Sequence, residues 1–250
     1  MKISSLSKNT EKVIDGYINL NLGNKKVRCP YYINSKHTKM DLRTLVGKGN
    51  PNEIEDEVKI WAQIMKFDLN NSSESQIREF MQKFGIGVDC SGFVAHILNT
   101  ELKSRGMKSL KHILKFQNND VRAKFSRLLK EVEFISANTL TNESNSVKIR
   151  LDEVQPLDMI RLHSIIPGGF HIALVTKVEN NEITYIHSSK FYLDENGVRY
   201  SKIRITNLGS EDLSDQEWVD VDKNGKNWIK EEYETNKEDS GFRRLKIFSN

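Results

Sequence analysis

The chain has 250 residues, with 38 basic and 34 acidic side chains and a net charge of +4. That length allows one large domain or a small pair with a real core, since a compact chain of this size buries roughly three quarters of its unfolded surface. The mild charge, with a pI near 8.9, lacks the clustered basic face of a nucleic-acid binder, and two cysteines make no disulfide framework.

No window approaches the roughly 18 apolar residues of a membrane span. The N-terminal stretch MKISSLSKNTEKVIDGYINL carries neither a continuous apolar run nor a small-residue cleavage pattern. The expectation is a cytoplasmic protein that leaves the cell only by lysis or an unconventional route. Residues 1–50 read as a mixed N-terminal extension containing VRCPYYI and a basic loop ending GKGNP. Gly47-Lys48-Gly49 lacks the spacing that wraps a phosphate, and reads as loop. Asn50-Pro51 reads as an N-cap followed by proline at the first helical position.

PNEIEDEVKIWAQIMKF predicts a helix with Ile54, Val58, Trp61, Ala62 and Met65 on one stripe. SSESQIREFMQKFG predicts a second, with capping-box spacing from Ser73 to Gln76 and Gly85 as a left-handed stop. A third runs from about Cys90 to Arg105 and buries Phe93, Val94, Ile97, Leu98 and Leu102. A fourth covers roughly 120–132, and the polar stretch 138–146 reads as a loop. The basic residues between Lys103 and Lys130, and the acidic ones between Glu211 and Asp239, read as solvated faces.

The period then changes to two. DMIRLH, HIALVTKV, EITYIHSS, VRYSKIRIT and the terminal FRRLKIF read as strands. A short turn lies around Glu179–Asn181, and Asn196-Gly197 reads as a hairpin turn. Helices first and antiparallel strands second is an α+β order. The expectation is one domain over 1–250, with the extension at 1–50, a helical half at 51–135 and a sheet half at 147–250.

The chemistry centres on GIGVDCSGFVAHIL, residues 85–98. A thiol attacks carbonyls as a thiolate, and a free cysteine near pKa 8.5 is mostly protonated at neutral pH. A helix N-terminus and a neighbouring imidazolium both favour the anion. Cys90 stands where unpaired backbone N–H groups would serve it, and the same amides could stabilise an oxyanion. Of the six histidines, His96 and His112 fall on helices or their connections, and His37 in a basic loop. His171 opens one strand and His187 closes the next, so antiparallel pairing can make the two rings neighbours. That supplies a nucleophile, a base and a third group to orient the base. A buried small hydrophobe is the alternative reading of Cys90 taken alone.

DCSGFV (89–94), followed by QPLDMIRL, HIALVTKV and YIHSS, resembles the NlpC/p60 family of papain-like cysteine peptidases, the cell-wall endopeptidase type. The resemblance covers about residues 80–190, with three separated motifs in the family's order. It implies a papain-like NlpC/p60 fold with N-terminal helices packed on a C-terminal antiparallel sheet. It implies Cys90 as nucleophile, His171 as base and His187 as the polar residue that holds the His171 ring. It assigns Asp89 and Ser91 to the pocket for the substrate's amino group, where they also read as an N-cap and a first-turn hydroxyl. The family's Pro-Gly-Asp is Pro156-Leu157-Asp158 here. The family's oxyanion tyrosine, about a dozen residues before the cysteine, is missing; Tyr31 or Tyr32 from the N-terminal segment could substitute, with Tyr32 assigned to the substrate site.

The implied function is a cysteine peptidase or amidase that cleaves an amide bond in peptidoglycan-type peptides through a thioester. The alternatives are a thiol amidase or acyltransferase on a non-cell-wall substrate, and an inactive binding module. No cofactor and no metal are called for. The partner is a peptide substrate such as a peptidoglycan stem peptide, with no nucleic acid and no membrane. Residues 220–231, DVDKNGKNWIKE, fit a calcium-loop pattern through Asp220, Asp222, Asn224 and Glu231. An ordinary turn at Asn224-Gly225 is the competing reading, favoured by three nearby lysines and the absence of strong flanking helices.

Overall fold

The computed structural model describes residues 2–33, 43–116, 132–166, 168–192 and 195–249. Within them a helical first half leads into an antiparallel sheet, the expected α+β order. Helix α1 (Lys8–Ile18) starts where the Thr10 N–H donates to the Ser7 hydroxyl, which satisfies one donor that a helix start leaves over. A small hairpin follows, β1 (Leu20–Leu22) with β2 (Lys25–Val27). Helices α2 (Pro51–Met65) and α3 (Glu74–Lys83) each begin on a complete capping box, Asn50 with Glu53 and Ser73 with Gln76. Helix α4 (Cys90–Ser104) is buried along most of its length and packs on α1. Short helices α5 (Leu110–Ile113) and α6 (Ala137–Thr141) precede the main sheet.

The sheet comprises β3 (Ser146–Lys148), β4 (Met159–His163), β5 (Phe170–Glu179), β6 (Glu182–Ser189), β7 (Gly197–Arg204), β8 (Glu217–Trp218) and β9 (Gly241–Leu245). The spatial order is β3-β9-β4-β5-β6-β7-β8, and every neighbouring pair is antiparallel. Strand alternation sorts the side chains into two cores. Met159, Ile172, Leu174 and Ile186 join the core built with α1 and α4, while Ile160, Ala173, Val175 and Tyr185 join a second core with Trp218 and Tyr233. Helix α7 (Trp228–Thr235) lies against β4 and contributes Ile229 and Tyr233 to that second core. Burial on both faces explains why HIALV is apolar throughout rather than alternating.

Several expectations need correction. The stretch read as a loop over 138–146 holds most of α6 and the start of β3; the Ser136 hydroxyl caps α6 by accepting from the Thr139 N–H at 3.0 Å. Met65 is 48% exposed rather than on the buried stripe of α2; Glu57 is buried there instead and accepts from Trp61 Nε1 at 2.9 Å. The turn between β5 and β6 is Asn180-Asn181, both with positive φ (48° and 59°), as a two-residue hairpin with right-handed strand twist requires. Asn196-Gly197 is not such a turn. Gly197 already pairs with Ser189 in the ladder, so β6 and β7 are not joined by a two-residue turn at that point. The helix expected over 120–132 lies outside the described residues except for its last position.

The turn before β4 carries Pro156-Leu157-Asp158. Leu157 holds a left-handed backbone, φ 74°, with its side chain buried. A conformational cost on the order of 1 kcal/mol is offset by that burial. The Asp158 carboxylate accepts from Arg244 Nε at 2.7 Å, Arg244 Nη2 at 2.8 Å and the Gln155 N–H at 2.8 Å. This ties the turn to β9. Replacing Asp158 with Asn leaves a half-sheltered guanidinium uncompensated and is expected to cost about 3 kcal/mol. A urea titration reads this as a lower midpoint at unchanged slope, and an unmoved midpoint would show that the pair contributes nothing.

Candidate active site

The residues ahead of α4 are held from three directions. The Val88 N–H donates to the Pro30 carbonyl at 3.1 Å, the Asp89 N–H donates to the Gly47 carbonyl at 2.9 Å, and the Ser188 hydroxyl of β6 donates to the Val88 carbonyl at 2.7 Å. Asp89 is the N-cap, with Oδ1 accepting from the Gly92 N–H at 2.6 Å. A Cβ at position 92 would stand 2.6 Å from the Gly47 carbonyl oxygen, so only glycine lets the 47–49 segment lie against the helix start. That approach buries Lys48. Its ammonium lies 2.9 Å from each Asp89 carboxylate oxygen, 2.6 Å from Ser91 Oγ and 3.0 Å from the Ile135 carbonyl. The lysine of the Gly-Lys-Gly loop is thus a buried cation at the base of α4, and all of its donors are spent inside the protein.

Cys90 is the first residue of α4 and is 8% exposed. It meets the sheet where β5 and β6 part. Their paired register ends at Leu174↔Ile186. The Val175 N–H donates toward β4, to the Asp158 carbonyl, so alternation turns the Leu174 and Ile172 amides toward β6. With the ladder open there, the Ile172 N–H is turned toward Cys90 and favours its thiolate. The neighbouring His171 is 6% exposed, and His187 is fully buried. His171 Nε2 lies 3.2 Å from His187 Nδ1, with the rings at 89°. The structure therefore brings the two histidines together and sets Cys90 beside the residue after His171. Among the described residues no hydrogen bond joins Cys90 Sγ to either ring, and His171 Nδ1 has no partner. Catalytic hydrogen bonds commonly tighten only when substrate binds.

Burial dominates the electrostatics. It pushes the Cys90 thiol up to about 12, with the Asp89 charge adding to the rise and Lys48 and the Ile172 amide opposing it. Burial, then Lys190, brings His171 down to about 3. His187 is held well below the usual imidazole range by burial, by His171 and by Arg199. The resting groups are a neutral thiol and two neutral rings, not an ion pair.

Tyr31, not Tyr32, is the aromatic whose hydroxyl senses the charges at Cys90 and Asp89. It bridges to Val88, and burial with the charges of Cys90, Asp89 and Glu232 pushes its hydroxyl up. Tyr32 instead covers the turn at Gly85 (φ 67°), where a Cβ would stand 2.8 Å from the tyrosine oxygen. Adjacent residues on an extended segment point to opposite sides, which separates the two. Glu232 of α7 reaches the same site. It is 1% exposed, interacts with the Ser164 hydroxyl and Lys190, and burial raises its carboxyl to about 8.

The other histidines serve elsewhere. His96 Nε2 bonds the Lys48 carbonyl at 2.8 Å, and His163 Nε2 bonds Asp239 at 2.6 Å; His112 lies on α5, and His37 is outside the described residues. Three of the four residues of the calcium-like pattern, Asp220, Asp222 and Glu231, already serve protein donors. Asp220 accepts from Arg199 at 2.6 Å, Asp222 accepts from the Asn224 and Lys226 amides at 2.8 and 3.0 Å, and Glu231 pairs with Lys226 at 2.6 Å. Asn224-Gly225 is a turn, closed by the Gly225 N–H on the Asp222 carbonyl at 2.9 Å. A separate cleft of about 260 Å³ lies between Ile149, Leu213, Tyr233 and Phe242, away from Cys90.

The sequence reading missed Lys48 and Glu232. Lys48 stood in a glycine-flanked loop, and Glu232 in a helix of mostly charged residues, where solvation is the ordinary expectation. Comparison with protein-family models, curated proteins and solved structures finds no match for this chain. No helix among the described residues is long and apolar enough to cross a membrane.

Two outcomes are expected from this geometry. Replacing Lys48 with Met strands a buried Asp89 carboxylate and should cost about 3 kcal/mol in urea unfolding. The same change removes a charge that favours the thiolate, so Cys90 should be alkylated more slowly at a given pH; unchanged stability and unchanged alkylation would refute the assigned role. The Glu232 carboxyl, raised from 4.5 to about 8, makes the folded state bind a proton that the unfolded state has released. Its contribution is intact below pH 4.5 and is lost as pH rises toward 8. Thermal melts across that window should show the parent losing stability relative to Glu232→Gln, and parallel curves would contradict it.

Proposed function

We propose that the protein is a cysteine hydrolase that cleaves an amide bond at Cys90, with His171 as base and His187 orienting it, on a papain-like fold of the NlpC/p60 type. The observation that carries the reading is the meeting point of α4 and β5. The thiol stands on a helix N-terminus against the amide next to His171, and His187 engages one nitrogen of that ring while the other has no partner. The left-handed backbone at Leu157, where the resembled family has glycine, lends further support. On this reading the thiol gives its proton to His171 Nδ1 as sulfur bonds the substrate carbonyl. The proton passes to the departing amine as the C–N bond breaks and leaves a thioester. Water then attacks the thioester, giving one proton back through His171 to the thiol. The backbone amides at the start of α4 are placed to receive the oxyanion, and Tyr31 is the side chain available to add a donor.

Peptidoglycan-type stem peptides are the first substrates to test. A second reading of substrate class draws on Lys48. The resemblance assigns Asp89 and Ser91 to a substrate amino group, yet the Lys48 ammonium already lies on both. That favours an amide substrate that brings no free amine to this pocket, as in a thiol amidase or acyltransferase acting outside the cell wall.

The test is a panel of muropeptides, with free and blocked amino termini, and simple amides. Cys90→Ala and His171→Ala are each expected to lose on the order of 10³-fold or more in turnover. Iodoacetamide with mass mapping should label Cys90 ahead of Cys29, which is fully buried. A Cys90→Ala protein that hydrolyses as the parent does would end the proposal. A folded parent that labels no faster at Cys90 than at Cys29 and turns over nothing would point to a binding module.

A further inference from the structure

Behind His187 lies a group of buried polar atoms that lack direct hydrogen-bond partners among the described residues: His187 Nε2, Tyr185 Oη, Tyr192 Oη, Ser201 Oγ, Arg199 Nε and Asp220 Oδ2. They share one place in the fold. His187 and Arg199 face each other across β6 and β7, as do Tyr185 and Ser201. The His187 ring lies 5.7 Å from the Tyr185 ring and 6.3 Å from the Tyr192 ring, and Arg199 stacks on Tyr192 at 3.9 Å. The Tyr192 and Ser201 hydroxyls point at the Asp220 carboxylate and the Tyr185 hydroxyl points at Ser201, each short of direct hydrogen-bond geometry. Native interiors rarely leave buried polar atoms unsatisfied, and where several converge the partner is usually ordered water, which makes two to four bonds at once.

We propose that these atoms form a water-bridged relay in which the Asp220 carboxylate fixes the tautomer of His187, making Asp220 a positioning residue for the Cys90–His171 pair. This rests on the function proposed above. The logic runs along the chain of donors. Arg199 only donates, and it occupies Asp220 Oδ1 at 2.6 Å. The remaining carboxylate oxygen, Oδ2, is therefore the acceptor turned to the Tyr192 and Ser201 hydroxyls and the water among them. Bridging water relays that acceptor to His187 Nε2, which carries the proton. His187 Nδ1 is then a lone pair and accepts from His171 Nε2–H at 3.2 Å. His171 Nδ1 is left as the lone pair that a base requires. No atom other than the bridging waters has to be added, and the net charge does not change.

The experiment uses the whole protein labelled with ¹⁵N-histidine. In the parent, His187 should be protonated at Nε2 and not at Nδ1, and that proton should show exchange cross-peaks to long-lived water. A His187 protonated at Nδ1 in the parent overturns the proposal without any variant. Asp220→Asn then inverts the terminus: its amide oxygen must stay on Arg199, so its NH₂ group faces the hydroxyls and bridging water as a donor. The expected result is a switch of His187 to the Nδ1–H form and a fall of at least about tenfold in Cys90 alkylation and turnover, the effect of a wrong tautomer in a catalytic triad. A folded Asp220→Asn protein with the parent tautomer overturns the relay. If the tautomer switches while Cys90 chemistry is indifferent to it, the relay stands and the catalytic reading of Cys90 and His171 falls instead.

Discussion

The buried ion pair of Lys48 with Asp89 is the interaction on which the site depends. Asp89 caps α4 and thereby sets where the helix begins, so it also sets that Cys90 is the first helical residue. A capping carboxylate at 3% exposure is tenable only with a partner of opposite charge. The Lys48 ammonium is that partner, and Ser91 and the Ile135 carbonyl take its remaining protons. Because Lys48 comes from a segment held against Gly92, the close approach of loop to helix and the placement of the thiol are one event.

The same burial that secures the scaffold suppresses charge at Cys90, His171 and His187. A thiol raised to about 12 and an imidazole lowered to about 3 are both neutral at rest. The proposed chemistry then proceeds from a neutral pair, with proton transfer concerted with attack rather than preceding it. Two features reduce the cost of that step: the Ile172 amide and Lys48 both favour the anion, whereas Asp89 and Glu232 oppose it. Glu232, held near neutrality by burial, opposes least when protonated. The local field at Cys90 is therefore a balance of one buried cation, one buried anion and one carboxyl whose charge depends on pH.

The parts of this arrangement that were legible in the sequence are local ones. The capping-box spacing at Ser73, the N-cap and proline at Asn50-Pro51, the glycine stop at Gly85 and the period change after residue 146 follow from backbone donors and side-chain alternation over a few residues, and they place α2, α3, α4 and the central strands. The nearness of His171 and His187 was legible because a short turn between antiparallel strands brings the start of one beside the end of the next. What was not legible needed contacts across long separations. Lys48 meets Asp89 from 41 residues away, and Asp220 meets Arg199 from 21. The sequence pattern at Asp220 suggested a cation loop, but the neighbour that decides its role is an arginine on β7. Tyr31 and Tyr32 were indistinguishable until the bridge to Val88 fixed which one senses the charges at Cys90 and Asp89.

The position of the site follows from the two-core architecture. Cys90 arrives with the α4 core, while His171 and His187 project with Ala173 and Tyr185 on the side of the second core. An unbroken ladder would keep such groups apart, because a hydrogen-bonded sheet is a wall between its faces. The ladder between β5 and β6 opens just beyond Leu174↔Ile186, and there the Ile172 amide is released from strand pairing and turned toward Cys90. The opening does not leave β6 loose, since the Ser188 hydroxyl bonds the Val88 carbonyl and so ties β6 to the residues leading into α4. On the proposed function, a gap in the sheet bridged by one side-chain hydrogen bond is what lets the Cys90 thiol from one core address the His171 ring from the other.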